Sequence, residues 1–238
     1  LVAHDVTYLK SIERMRKDFV DNISHELRTP LTVLKGYLET LADMPGSQSP
    51  LLIHSIGQMN NQTLRMQHLV DDLLLLANLE TQKVQNDCVE IKPLLKQICQ
   101  ESGALEQLNN RIELFIDSGS NIIGNDQELR SAFSNLVVNA LKYSPEDSMV
   151  TVKWYQSNKN LILEVNDQGE GIHELEISKI TERFYRVDVK REQQIPGTGL
   201  GLSIVKHVLA RHDTQLVISS KLGHGSCFQC IFPKQRRC

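Results

Sequence analysis

At 238 residues, with 40% hydrophobic and 23% charged side chains, the chain has the composition of an ordinary globular protein and room for one large domain or two smaller ones. A formal net charge of -3 gives no electrostatic basis for direct nucleic-acid binding, which favours a clearly basic domain. No run approaches the ~20 apolar residues of a membrane span; because the chain opens on Leu1 and not on Met, a membrane tie is expected only through segments that precede it.

Leu1 to Thr7 reads as the tail of a strand. From about Tyr8 a helix is predicted, because Ile12, Met15, Phe19, Ile23, Leu27, Leu31, Leu34, Leu38 and Leu41 step by threes and fours. Met44-Pro45-Gly46-Ser47-Gln48-Ser49-Pro50 breaks it. Leu52, Ile56, Met59, Thr63, Met66, Val70, Leu73 and Ala77 then follow a heptad and predict a second helix. So short a connection makes the two helices antiparallel. A two-helix hairpin cannot cover its own apolar seam, so a second copy closing a four-helix bundle is expected, and 8–80 becomes a dimerisation domain.

Residues 81–88 are polar at their start and read as a linker, leaving 89–238 as a second domain. Lys92 to Asn109 is predicted as a helix and Arg111 to Asp117 as a strand. Asn125-Asp-Gln-Glu128 has the form of a capping box opening a helix through Tyr143. Met149 to Tyr155 and Leu161 to Asn166 are strand-like, Leu200 to His212 helical, and Gln215 to Ser219 and Ser226 to Phe232 strand-like again. That order predicts an α/β domain with a mixed or antiparallel sheet. The five cysteines are odd in number. Cys227-Phe-Gln-Cys230 has half a zinc site's spacing, but no second pair accompanies it, and residues three apart on a strand face opposite sides. All five are expected to be reduced thiols.

The chemistry lies in four motifs. In His25-Glu26-Leu27-Arg28-Thr29-Pro30, a histidine projects almost opposite to the seam residues Ile23 and Leu27 and is followed at once by a carboxylate. Pro30 cannot donate to the carbonyl of Glu26 and loosens the helix there. With a free pKa near ~6.5, a neutral imidazole is available to attack phosphorus. Asn135, Asn139 and Lys142 fall within about 60° of one another on a helix and form one polar stripe. Their amides suit Mg²⁺ and the lysine a phosphate. Asp167-Gln-Gly169-Glu-Gly171 ends a strand; alone it reads as a plain turn, and in company as an aspartate and glycines placed against a base. Gly197-Thr198-Gly199-Leu200-Gly201 precedes a helix whose backbone N–H groups could hold phosphates, and it is neither a Walker nor a Rossmann sequence. Val187 to Pro196 has the length and polarity of a mobile lid.

Together these residues resemble the sensor histidine kinases of two-component systems. Phe19 to Pro30 is similar to the H box, Asn135 to Tyr143 to the N box, and Asp167 to Ile172 to the G1 box. Glu182-Arg-Phe-Tyr-Arg186 is similar to the F box and Gly197 to Leu202 to the G2 box. The text of 31–37, 181–188 and 199–207 is similar to the phosphate-regulon branch of that family. The resemblance implies a helical hairpin that dimerises into a four-helix bundle and carries the phosphoacceptor. An α/β sandwich of the histidine kinase, Hsp90 and gyrase type follows it. Residues 1–7 then become the tail of a PAS-like sensor domain, and the chain lies on the cytoplasmic side of the bacterial inner membrane.

The resemblance also implies roles. His25 is the phosphorylated residue, Glu26 its proton-handling neighbour, and Thr29 orients water for a phosphatase reaction. Asn139 binds Mg²⁺, Lys142 the phosphates of ATP, Tyr143 the adenine face and Asp167 the adenine amino group. Asn135 lies near metal and phosphates, and Arg186 meets the γ-phosphate. Gly169, Gly171, Gly197, Thr198, Gly199, Leu200 and Gly201 line the nucleotide. The expected partner is a response-regulator receiver domain, docked near Thr32, Lys35, Gly36 and Glu39. The rival readings are a non-catalytic dimeric scaffold, which intact boxes argue against, and an Hsp90/gyrase-type ATPase, which has no need of His25-Glu26.

Overall fold

In the computed structural model the described residues are 23, 26–39, 41, 50–81, 85–105, 111–187 and 197–238. The expected strand at 1–7, the first turns of the first helix, His25 itself, the break at 44–49 and most of the 187–196 segment lie outside them. The chain divides into two units, Leu1–Leu74 and Leu75–Cys238.

In the first unit, residues 26–39 form helix α1 and Pro50–Thr81 form α2, whose last two turns belong to the second unit. Pro30 is buried within α1. Glu26 on α1 faces Arg65 on α2 at 3.8 Å, both about a third exposed. The heptad positions of α2 fall within about 100° of one another on the helix. In one copy Leu52, Met59, Met66 and Leu73 are half-buried, while Ile56 and Val70 are exposed. Ser55 and Leu69, to one side of that row, are buried within the single chain.

The second unit is built on alternation. β4 (Val150–Ser157) and β7 (Ser226–Phe232) alternate buried and less buried residues, while β5 (Asn160–Asn166) buries Leu161, Ile162, Leu163 and Val165. With β2 (Ile112–Ile116) and β6 (Gln215–Ser220) they form a five-stranded sheet ordered β2-β4-β5-β7-β6. β2 runs parallel to β4 and all other pairs are antiparallel, so the sheet is mixed. A second, two-stranded sheet pairs β1 (Asp87–Val89) with β3 (Ile122–Gly124). Neither short strand is visible in the residue pattern, since three residues are too few to show a period, and β1 claims the end of the expected linker.

Helices α3 (Ile91–Leu105), α4 (Asp126–Tyr143) and α6 (Gly201–Arg211) supply the other layer, with a single turn, α5 (Glu174–Ile177), between β5 and α6. Leu129, Ala132, Phe133, Leu136, Val137 and Ala140 of α4 are all buried. Phe133 meets Phe232 edge to face at 6.1 Å, and Trp154 meets Phe232 at 6.0 Å, so aromatic side chains from α4, β4 and β7 centre the core. On the sheet's other face Glu164 accepts hydrogen bonds from Tyr155, Asn166 and Gln229. Burial, and then Glu164 itself, push the Tyr155 hydroxyl up to about 12.

The capping box is only half realised. Asn125 caps α4 and its side chain accepts from the Glu128 N–H at 3.0 Å. Glu128 does not return to the Asn125 N–H: its carboxylate is taken by Arg211 at the end of α6, at 3.0 and 3.2 Å. The Asn125 N–H donates instead to Nε2 of the fully buried His212.

The cysteine expectation is corrected as well. Cys88 in β1 and Cys238 are joined by a disulfide, although 150 residues separate them. Cys99, Cys227 and Cys230 are free, and the last two face opposite sides of β7 as expected.

Candidate functional site

The site begins on α4. Its buried stripe fixes the helix on the sheet, and that leaves Asn135, Asn139, Lys142 and Tyr143 half-buried along the opposite edge. The Asn135 amide donates to the Ser131 carbonyl at 3.0 Å, which turns its oxygen outward toward α6. A Cβ added to Gly201, the first residue of α6, would lie 2.5 Å from that oxygen and 3.7 Å from the Asn139 amide nitrogen. Only a residue without a side chain lets the N-terminus of α6 approach the asparagine stripe so closely.

The rest of the glycine cluster is placed by neighbours. Lys142 Nζ would stand 2.8 Å from a Cβ on Gly197. The Arg186 guanidinium donates to the Gly197 carbonyl at 3.2 Å, and the Phe184 N–H to the Gly199 carbonyl at 2.9 Å. Gly199 has φ +70°, a conformation that side chains rarely adopt, and Thr198 Oγ1 accepts from the Leu200 N–H at 3.3 Å. Lys142 Nζ lies 5.8 Å from the centroid of the Tyr143 ring.

Asp167 closes the other end. It is buried at the end of β5, and its Oδ1 accepts from the N–H of Gly169 at 2.9 Å and of Ser226 at 3.0 Å. Burial raises its pKa, against the lowering effect of those two amides. A Cβ on Gly169 would strike the Tyr143 carbonyl at 2.4 Å, so the Asp167 turn is packed directly on the C-terminus of α4. Asn135, Asn139, Lys142, Tyr143, Asp167, Gly169, Arg186 and 197–201 are therefore brought to one edge of the second unit. Gly171, at φ +71°, instead meets the Lys221 carbonyl of the β6–β7 hairpin. Glu26 and Thr29 lie in the first unit on α1, where Thr29 is exposed.

Three groups that build this edge escaped the sequence reading. Arg111 is buried, and its guanidinium donates to the carbonyls of Ser148, Leu141, Ser144 and Pro145, tying off the C-terminus of α4 beside Lys142 and Tyr143. Ser226 places Asp167, helped by Gly225, where a Cβ would meet the Asp167 carbonyl at 2.1 Å. The Gly-x-Gly-Ser run at 223–226 was the one available signal. Arg211, with Glu128, ties the end of α6 to the start of α4, and it also donates to the Leu79 carbonyl near the end of α2.

The His Kinase A (phospho-acceptor) domain description matches residues 15–82. That of the Histidine kinase-, DNA gyrase B-, and HSP90-like ATPase matches residues 124–236. The chain belongs to the sensor histidine kinase family. It is 47% identical over 235 residues to the phosphate regulon sensor protein PhoR of Pseudomonas aeruginosa, covering 98% of this chain and 53% of that protein. It is 39% identical over 236 residues to the PhoR of Haemophilus influenzae, covering 99% and 55%. The chain thus spans about half the length of the curated relatives it matches. The solved Acinetobacter baumannii histidine kinase AdeS superposes with a TM-score of 0.68 at 21% identity, over 89% of this chain and 98% of that one, which is a likeness of fold. The expected architecture, a helical hairpin followed by an α/β ATP-binding sandwich, is that of the family.

Proposed function

We propose that this sensor histidine kinase chain phosphorylates His25 with Mg·ATP and passes the phosphoryl group to an aspartate of a receiver domain in phosphate-starvation signalling. The observation that carries the reading is the meeting of the asparagine stripe of α4 with the glycine-opened N-terminus of α6. No P-loop is needed there, because the backbone N–H groups of the first turn of α6 and the Lys142 ammonium supply what phosphates require. The donor set fits Mg²⁺: side-chain amide oxygens are hard ligands, Asn139 is assigned to hold the ion, and the bound ion neutralises charge on the phosphates. Tyr143 and Asp167 hold the adenine, the first by its ring and the second by accepting from the exocyclic amine.

An imidazole nitrogen of His25 attacks the γ-phosphorus as the bond to the bridging oxygen of ADP breaks, and Glu26 takes up the imidazole proton. Arg186 offsets charge on the phosphoryl group during transfer. The phosphoramidate product has high transfer potential, so passage to a carboxylate is downhill. Thr29, exposed on α1, then positions water against the phosphorylated regulator. Thr32, Lys35, Gly36 and Glu39, all exposed, form the docking face. The chain acts as a homodimer, makes no direct contact with nucleic acid, and works on the cytoplasmic side of the bacterial inner membrane through segments outside it.

Incubation with γ-labelled ATP tests this. Acid-labile, alkali-stable label is expected on the parent and absent from His25→Ala, which still binds Mg·ATP. Label persisting in His25→Ala removes the acceptor assignment, and hydrolysis without any protein label moves the chain to the ATPase reading. Thr29→Ala is expected to keep autophosphorylation and lose dephosphorylation of the regulator; equal loss of both ends that role.

A further inference from the structure

Cys88 and Cys238 lie where the chain leaves α2. Thr81 ends that helix, and Cys88 follows on β1, the first strand of the ATP-binding unit. The Cα atoms of the pair are 6.0 Å apart, within the span a disulfide takes, and both residues are exposed. Exposed disulfides are the ones that exchange with small thiols. Other contacts hold the C-terminal residues beside β1, its partner β3 and the end of α6. Arg236 donates to the Asn86 side chain at 2.7 Å and to Asp213 at 2.8 Å, the Cys238 N–H donates to the Asn121 carbonyl, and Arg237 bridges to Ile122 of β3. With the bond cut, the two sulfurs therefore stay neighbours, at high effective concentration for reclosure. The other thiols compete poorly: Cys230 is fully buried, and burial pushes Cys99 and Cys227 up to about 11.

We infer that Cys88 and Cys238 form a reversible thiol–disulfide site that takes small-molecule disulfides of the glutathione class and, when closed, slows the kinase. One cysteine thiolate attacks a sulfur of the small disulfide and displaces a thiolate, leaving a mixed disulfide. The second cysteine thiolate attacks the protein sulfur of that mixed disulfide and displaces the other small thiolate. The protein loses two electrons, the small disulfide gains them, and the two protons end on the departing thiols. The consequence for rate rests on the function proposed above. The bond lies wholly within the second unit, which begins at Leu75, and when closed it ties β1 to the C-terminal residues. β1 pairs with β3, which leads directly into Asn125, the cap of the asparagine-bearing α4.

The test is a titration of the whole chain across ratios of glutathione disulfide to glutathione. It is read by iodoacetamide labelling of each cysteine, by amide hydrogen exchange over 86–90, and by autophosphorylation rate. Labelling of Cys88 and Cys238 is expected to vanish together as the ratio rises, with slower exchange over 86–90. The rate is expected to fall by about fivefold or more, the lower end of ordinary coupling between sites, with dithiothreitol restoring it. Cys88→Ser and Cys238→Ser are each expected to keep the reduced parent's rate at every ratio. The inference is overturned if both cysteines stay reactive throughout, if the bond closes without a change in rate, or if either serine variant responds as the parent does. A chain that never labels its histidine even when reduced refutes the proposed function instead, and exchange over 86–90 then decides the latch: no protection on oxidation ends it.

Discussion

The two units treat their large apolar side chains in opposite ways. In the helical hairpin Leu31, Leu38, Ile53, Ile56, Leu64, Val70 and Leu74 are all exposed within a single chain. In the ATP-binding unit Trp154, Phe133 and Phe232 are fully buried, with Phe115, Leu175 and Leu222 left exposed, and among the described residues the buried side-chain polar atoms are paired but for Ser144 Oγ. A sheet covered by helices closes its own core, whereas two helices present more apolar surface than they can hide. The second unit closes its own core, and the first leaves an apolar face for the proposed second copy to cover.

The largest effect comes from separating them. Residues 85–238 alone are expected to remain folded and monomeric, and residues 8–81 alone to sediment as a dimer that loses helicity on dilution. A stable monomeric hairpin at micromolar concentration would break the comparison. Next in size, Trp154→Ala is expected to destabilise the ATP-binding unit by about 3–5 kcal/mol, the usual loss for a buried aromatic side chain. Leu74→Ala on the exposed face should leave the monomer's stability nearly untouched and weaken association. Chemical denaturation of the two variants side by side checks both.

Smaller again is Asp167→Asn. Exchanging a charged acceptor for a neutral one is expected to weaken Mg·ATP binding by about 1.5–3 kcal/mol, measured by calorimetry, with the helical content of the hairpin unchanged. Because burial raises the Asp167 pKa, its carboxylate is lost at a higher pH than an ordinary aspartate. Affinity should therefore decline as pH falls through that raised value in the parent, and not in Asp167→Asn.

The smallest effect is a pH dependence of folding. Burial, above all, lowers the His212 pKa. The Nδ1–H donates to the Val208 carbonyl and Nε2 accepts from Asn125, an arrangement only the neutral ring can make. Its folded pKa lies below the unfolded value near ~6.5, so the unfolded chain takes up the proton first. Stability is then full above that value and falls as pH drops toward the folded pKa. Thermal melts of the parent and His212→Gln from neutral to mildly acidic pH should show the slope in the parent alone.

By itself the sequence determined what is local or periodic. The helix from Asn125 to Tyr143, with its apolar stripe and Asn135, Asn139 and Lys142 on the opposite edge, is a matter of 3.6-residue geometry, and β4 and β7 are a matter of alternation. The motif order carried the family. Only the tertiary structure decided the rest, because those features depend on residues far apart in the chain. Which side chain answers Asn125 turned on His212 and Arg211, and which thiols meet turned on a separation of 150 residues. The placement of Asp167 turned on Ser226, and the closing of α4 on a buried Arg111. The heptad of α2 was legible only as a period, since which of its two apolar rows is covered is settled by what packs against the helix, and no local pattern states that.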